Sequence, residues 1–256
     1  MDYKLLMNTA VLAGEIMLKS GAETYRVEDT MNHILHLASL HSAESFVVST
    51  GIIATLSGGE NKPITVVKRV NERETNLNRV YRVNSISRDL CEGRISLQEA
   101  WDQLNETQKQ LQYCPWMVNI AMVGITASFT LLLGGNGWDV FGAAVVGALL
   151  AAFMYAAGRA ELNSILKTTA AALAVAVGTL ALRQFIWPAL NTDLVIIGCI
   201  MPLVPGMAFT NALRDILYGD YTSGCARIME AILIAAAVAV GVGCGISLFH
   251  WLGGVM

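Results

Sequence analysis

Charge is what the second half of this chain lacks. Only 14% of its 256 residues are Asp, Glu, Lys or Arg, against about 25% in an ordinary soluble domain. The shortage is local. Residues 1–117 carry 12 of the 17 Lys and Arg and 14 of the 20 Asp and Glu, and residues 118–256 carry the other 5 and 6. One polar surface over the whole length is excluded, so the two regions face different surroundings. The net charge of -3 is too small to imply a nucleic-acid partner, and none is expected. Five cysteines, at 91, 114, 199, 225 and 244, have neither paired metal-ligand spacing nor the density of a secreted scaffold, and read as reduced and structural. SGG at 57–59 lacks the G-x-x-x-x-G-K spacing of a phosphate loop, and neither H-E-x-x-H nor G-x-S-x-G occurs. Neither an enzyme nor a bound cofactor or metal is therefore expected. The opening stretch MDYKLLMNTAVLAGEIMLKSGAE begins with an acid and reaches a lysine and a glutamate after a short apolar run, unlike a signal peptide.

The polar region, residues 1–115, reads as an α+β domain just large enough for a small core. Leu5, Leu6, Thr9, Leu12, Ala13, Ile16 and Met17 recur at helical spacing, which predicts an amphipathic helix over 2–19, stopped at Gly21. A second helix is expected over 23–40. Between them SGAETYRVED, residues 20–29, packs Glu23, Arg26, Glu28 and Asp29 into one junction. Two readings stay open: a capped helix start with a Glu23–Arg26 pair, or a polar cluster that gates or contacts the membrane domain. SFVVSTGIIATL at 45–56 is β-branched and predicts one strand with a bulge at Gly51, turning at SGGENKP into a partner strand at 64–70. A third helix is expected over 76–91. Ser96 and Glu99 form a capping-box pattern for a fourth, which carries Ala100, Leu104, Thr107 and Leu111. His33, His36 and His41 have no cysteine beside them and read as surface histidines.

The apolar region, residues 116–256, predicts spans near 118–135, 139–157, 168–187, 194–213 and 229–249, since a crossing takes about 17–25 residues. Trp116, Trp138, Trp187 and Trp251 mark their ends as interfacial aromatics do. Gly142, Ala143, Gly147, Ala151 and the glycines of 241–245 allow close helix approach. Arg159, Lys167, Arg214 and Arg227 fall on one side and Arg183 on the other, which places the N-terminal domain in the cytoplasm and the C-terminus outside.

The fourth span is the anomaly. Residues 194–213 carry no charge, yet hold Pro202, Pro205 and Gly206 near their middle. Each proline removes an amide hydrogen and clashes with the carbonyl four residues back. Broken backbone at membrane depth is tolerated only where protein or a water-lined cavity satisfies its polar groups, and such helices line substrate sites in secondary transporters. Asn211 and Asp215 follow on one helical face, with Arg214 beside them and Asp220 in the next turn. Asp139 and Asp193 are expected at the outer interface, and Glu161, Arg214, Asp215, Asp220, Arg227 and Glu230 on the inner side. Glu230 opens the last span three residues after Arg227, close enough for an intrahelical pair. Ionisable groups near membrane depth are functional candidates. The candidate substrate-binding or gating set is therefore Pro202, Pro205, Gly206, Asn211, Arg214, Asp215, Asp220, Glu230 and Glu23.

At SGAET with YRVE (20–28), PLVPG (202–206), NALRD (211–215), Gly219-Asp220 and Ser223-Gly224, the chain resembles the threonine/serine exporter family, and most closely the larger subunit of its two-component form. The likeness runs over nearly the whole chain, with Ser20 standing where family members commonly have histidine. It implies proton-driven export of small hydrophilic metabolites, either threonine and serine or C4-dicarboxylates. It also implies a small second membrane subunit of four or five spans, in an oligomer in the cytoplasmic membrane. The expectation is thus a helical polytopic membrane protein of about five spans with an N-terminal cytoplasmic α+β domain, acting as a subunit of an exporter. In it the broken span would bind a carboxylate or amino acid, and Asp215 and Glu230 would titrate or gate. The rival reading is a membrane-anchored subunit that senses a metabolite or assembles a partner transporter; an anchor needs neither five spans nor prolines within one.

Overall fold

The computed structural model describes residues 2–39, 42–58, 61–71, 74–110, 112–159 and 163–253. His41, Gly59, Glu60, Leu111 and Glu161 of the sequence reading lie outside them. Two compact units divide the chain: Met1–Gln112 with Gly206–Met229, and Tyr113–Pro205 with Glu230–Met256. The N-terminal unit therefore draws in a stretch of the apolar region that begins at the proline break.

In the first unit, α1 (Tyr3–Lys19) is capped by the Asp2 carboxylate, which accepts from the amides of Lys4 and Leu5. Its expected amphipathic character is replaced by burial on nearly every side, because it packs against α2 (Thr24–His36), α3 (Leu77–Cys91), α4 (Leu97–Lys109) and the sheet. Burial extends to Glu15, whose carboxylate meets Lys19 Nζ at 2.7 Å and Lys68 Nζ at 3.1 Å. Burial alone would raise the Glu15 pKa; the two lysines outweigh it and hold the group below the usual range. Ser96 and Glu99 close the expected capping box at the start of α4.

The expected single strand at 45–56 is instead a hairpin. The sheet is an antiparallel meander of β1 (Ser42–Val48), β2 (Gly51–Gly58) and β3 (Asn61–Arg69). The chain reverses at Ser49-Thr50, where Val48 pairs with Gly51. Gly51 is a terminal pair and not a bulge; a Cβ there would stand 3.1 Å from the Lys68 carbonyl oxygen. Serine and threonine suit strands and turns alike, so the β-branched run gave no sign of the reversal.

In the second unit, α5 (Pro115–Leu132), α6 (Gly137–Arg159), α7 (Ser164–Phe185) and α8 (Thr192–Ile200) pack with the later part of α10 (Tyr221–Trp251) around Val146, Leu150, Val175, Val195 and Cys199. Among the described residues α6, α7 and α10 are long and apolar enough to cross a membrane. A fourth span exists if α8, the 3-10 turn Met201–Leu203 and α9 (Gly206–Leu217) count as one broken helix. The five expected spans thus become three or four, since α5, apolar from Trp116 to Leu132, falls short in length. Asp139, expected at an interface, is 2% exposed and joins two elements: its carboxylate accepts the Asn136 amide at 3.0 Å and the Asn191 amide at 2.8 Å.

The small residues pack as their spacing suggests. Gly147 lies against Thr126, whose hydroxyl donates to the Ala143 carbonyl at 3.1 Å. Gly124, on α5, has open space where a Cβ would go. Gly147→Ala is expected to cost about 1–3 kcal/mol by overpacking and to lower the unfolding midpoint in detergent by several degrees, whereas Gly124→Ala leaves it unchanged. Equal midpoints for the two variants would contradict this packing.

Candidate functional site

Two helix-to-helix junctions of the first unit carry the motif residues, and both are built alike. At the end of α1 the Ala22 amide reaches back to the Met17 carbonyl and the Gly21 amide to Leu18, a Schellman stop with Gly21 at φ +81°. At the end of α9 the Asp220 amide bonds the Asp215 carbonyl and the Gly219 amide that of Ile216, with Gly219 at φ +93°. Both stops require the left-handed backbone that glycine adopts at no steric cost. An acidic residue then begins each following helix. Asp220 caps α10 through the Ser223 amide at 3.1 Å. Glu23 occupies the cap position of α2, but its side chain makes no cap bond.

The cap of α2 comes from elsewhere. Asp215 on α9 accepts from the Thr24 amide at 3.0 Å and from the Thr24 hydroxyl at 2.9 Å, both on Oδ1. Its Oδ2 faces Arg227 Nη1 at 3.3 Å. Asp215 is fully buried and Arg227 is 5% exposed. A carboxylate at a helix N-terminus is favoured by the free amides and the helix dipole, and burial makes the guanidinium beside it a necessity. Arg227 also donates to the Ala22 carbonyl at 2.9 Å, and Asn211 Nδ2 donates to the Gly21 carbonyl at 2.8 Å. Arg214 Nη1 meets Glu23 Oε1 at 2.7 Å. Residues 21–24 are thus tied one by one to Asn211, Arg214, Asp215 and Arg227. Arg26 stands 3.8 Å from Glu23, as the first reading of the 20–29 stretch pairs them but without its cap bond, and Glu23 also reaches across to α9.

Titration follows from these contacts. Burial alone would raise the Glu23 pKa, but its own backbone amide, the Arg214 hydrogen bond and the charges of Arg26 and Arg214 hold it below the usual range. Asp220 is also lowered: burial is outweighed by the Thr24 hydroxyl, the amide and hydroxyl of Ser223, and Arg227. Glu28 goes the other way. Burial raises it more than its bond to the Val47 amide (2.7 Å) lowers it, and the charge of Asp220 adds to the rise. A cavity of about 400 Å³ opens beside the second junction, lined by Tyr25, Glu28, Phe46, Tyr218, Asp220 and Tyr221 among others. The Tyr25 and Tyr218 rings stack there with centroids 4.1 Å apart.

The structure therefore brings together Glu23, Asn211, Arg214, Asp215 and Asp220. It does not add the rest of the expected set to them. Pro202 sits in the 3-10 turn and Pro205 ends the second unit's segment, with extended Val204 between them as a residue before proline must be. Gly206 opens α9. Glu230 begins the second unit's share of α10 and is exposed. Sequence reasoning missed Thr24, Ser223 (whose hydroxyl accepts the Ser49 amide at 3.1 Å) and the pairing of Arg227 with Asp215. An arginine at the head of a long apolar helix, with an aspartate one helix before it, was the available signal. His33 and His36 each turn Nδ1 back onto a carbonyl of their own helix.

Comparison with known proteins gives the chain its family. A family model described as "Putative threonine/serine exporter" matches residues 8–249. Among curated proteins, the "Probable threonine/serine exporter" of Mycobacterium tuberculosis is 22% identical over 245 residues, covering 93% of this chain and 45% of that protein. The "Threonine/serine exporter" of Corynebacterium glutamicum is 24% identical over 253 residues, covering 95% and 51%. The "Probable succinate transporter subunit YjjP" of Klebsiella aerogenes is 27% identical over 233 residues, covering 88% and 87%. The chain thus spans about half the length of the two exporters and most of the length of the subunit. No solved structure matches it. With the match running almost end to end, and with motif residues from both ends of the chain meeting in one buried cluster, this integral membrane protein belongs to the threonine/serine exporter family, a family of transporters and not of enzymes.

Proposed function

We propose that this chain is a subunit of a proton-coupled exporter of small hydroxylated amino acids, and that Asp215 is its coupling group. The observation that carries the reading is the Asp215 carboxylate, buried without exposure between the N-terminus of α2 and Arg227. Charged, it satisfies Thr24 and Arg227 together. Protonated, it loses its ion pair and weakens both Thr24 bonds. Removing one side of a buried pair costs about 3–5 kcal/mol, enough to shift a two-state equilibrium by orders of magnitude. A proton arriving at Asp215 would therefore free α2 from α9, and its departure would restore the tie. Pro202, Pro205 and Gly206 supply the break at which α9 can move independently of α8, and freed backbone groups there would meet the substrate carboxylate.

The cavity beside the second junction, at the opposite end of α9 from that break and so a separate place on the substrate's route, supports the choice of substrate. Glu28 and Asp220 line it together with three tyrosines and Phe46, and among the described residues no lysine or arginine lines it. Carboxylates and aromatic faces attract an ammonium group and repel a dicarboxylate, which favours serine or threonine over succinate. The similar-length relative named a transporter subunit supports a second membrane subunit as partner. The basic residues near the span ends support a cytoplasmic N-terminal domain. Asp220 and Glu230 remain the further gating carboxylates of the proposal.

In vesicles preloaded with labelled serine, threonine or succinate and containing both subunits, an imposed pH gradient is expected to accelerate efflux of the amino acids. Asp215→Asn should cut the gradient-driven part at least tenfold while the protein still inserts and assembles. Unchanged efflux for Asp215→Asn, Asn211→Ala and Pro205→Ala alike would sink the site. Glu23 gives a separate test by pH. Because its pKa is lowered in the folded state, its contribution is complete above the usual glutamate range and fades as pH falls through that range and below. The melting temperature of Glu23→Gln should lie below that of the wild type at pH 7, with the gap closing as pH drops below about 4. A gap that widens on acidification would reverse the assignment.

A further inference from the structure

The second face of α2 borders a cleft that the exporter reading does not use. Arg26, Asp29, Thr30 and His33 follow one another along α2 at helical spacing, and Asn84, Ser87, Arg88 and Cys91 do the same along α3; the two rows enclose about 320 Å³. Facing helices normally fill such a space with apolar side chains. Here the floor is polar: Thr30 and Ser87 are buried, and the Thr30 hydroxyl donates to Asn84 Oδ1 at 3.3 Å. That bond leaves the Asn84 amide hydrogens available as donors. Arg88 makes no ion pair among the described residues, and Arg26 has only the 3.8 Å approach to Glu23. Among the described lining residues one carboxylate, Asp29, stands against the two guanidinium groups, with His33 Nδ1 3.4 Å from it.

From this arrangement we infer that the α2–α3 cleft binds a small oxyanion, a carboxylate or phosphate of a few carbons at most. Its volume lies at the small end of ligand sites. Two guanidinium forks can each take two oxygens of such a group, and the Asn84 amide supplies a further donor. Occupancy has a consequence for the neighbouring junction, on the reading proposed above. Arg26 lies two residues from Thr24 and within reach of Glu23, so an anion that draws Arg26 into the cleft leaves Glu23 to Arg214 alone. The ligand is then a signal read by α2, separate from the cargo.

Calorimetric titration of the full chain in detergent tests this with three probes: inorganic phosphate, succinate, and acetamide as the uncharged control. Phosphate, succinate or both should bind with a dissociation constant in the millimolar range or tighter, and acetamide at least tenfold more weakly. Phosphate alone would identify a phosphorylated ligand; succinate alone, a carboxylate. Arg88→Gln should weaken binding at least tenfold without changing the melting temperature, and Asp29→Asn should tighten it. No anion binding by the wild type, or wild-type affinity in Arg88→Gln, overturns the site. Binding preserved in Asp215→Asn separates this result from any failure of the transport reading.

Discussion

The first unit depends on one anion in an apolar setting. The Asp215 carboxylate closes the N-terminus of α2, a helix whose own cap residue contributes no side-chain bond, and it does so from 191 positions away in sequence. A buried carboxylate is tolerable only when its charge is answered. The Thr24 amide and hydroxyl answer one oxygen and Arg227 the other. Every other tie in the cluster lies within a turn or two of these groups. The ties therefore converge on one carboxylate, and on the proposed function its protonation bears on all of them.

Around that anion the two junctions are alike in construction and complementary in polarity. The α1–α2 junction presents the carbonyls of Gly21 and Ala22, which Asn211 and Arg227 take. The α9–α10 junction presents the Asp215 side chain, which α2 needs. Each begins with a left-handed glycine that turns the chain sharply enough to expose these groups. The motifs at 20–28 and 211–224 thus describe two halves of one contact. In the second unit the small residues serve close packing instead. Gly147 admits Thr126, whose hydroxyl bonds both its own helix and the Ala143 carbonyl of α6, the hydroxyls of Thr130 and Thr179 bond carbonyls of their own helices, and buried Asp139 ties Asn136 to Asn191.

Much of the outline is legible in the sequence because it depends on local rules. The cap at Ser96, the stop at Gly21 and the break between Pro202 and Gly206 follow from residues a few positions apart. The hairpin at Ser49-Thr50 is not legible, since those residues fit a strand as well as a turn. The apolar run of α5 reaches spanning length only when its flanks are counted with it, and the helix stops short of them. Glu23, Asn211, Arg214 and Asp215 stand out as unusual, but nothing local pairs them, and Arg227 looks as ready to pair with Glu230 one turn away.

By itself, then, the sequence determined where the chain is polar, where it is apolar, where α1 stops and α4 starts, and which few charged residues stand at the margin of apolar segments. These are properties of composition and of spacing within a turn or two. Only the tertiary structure decided that residues 206–229 fold with the N-terminal elements, and that Asp215 serves as the cap of a helix near the other end of the chain. The physical reason is that a helix N-terminus accepts any well-placed anion, and a buried aspartate any well-placed cation and amide. Local sequence states the need on each side, and the fold supplies the partner.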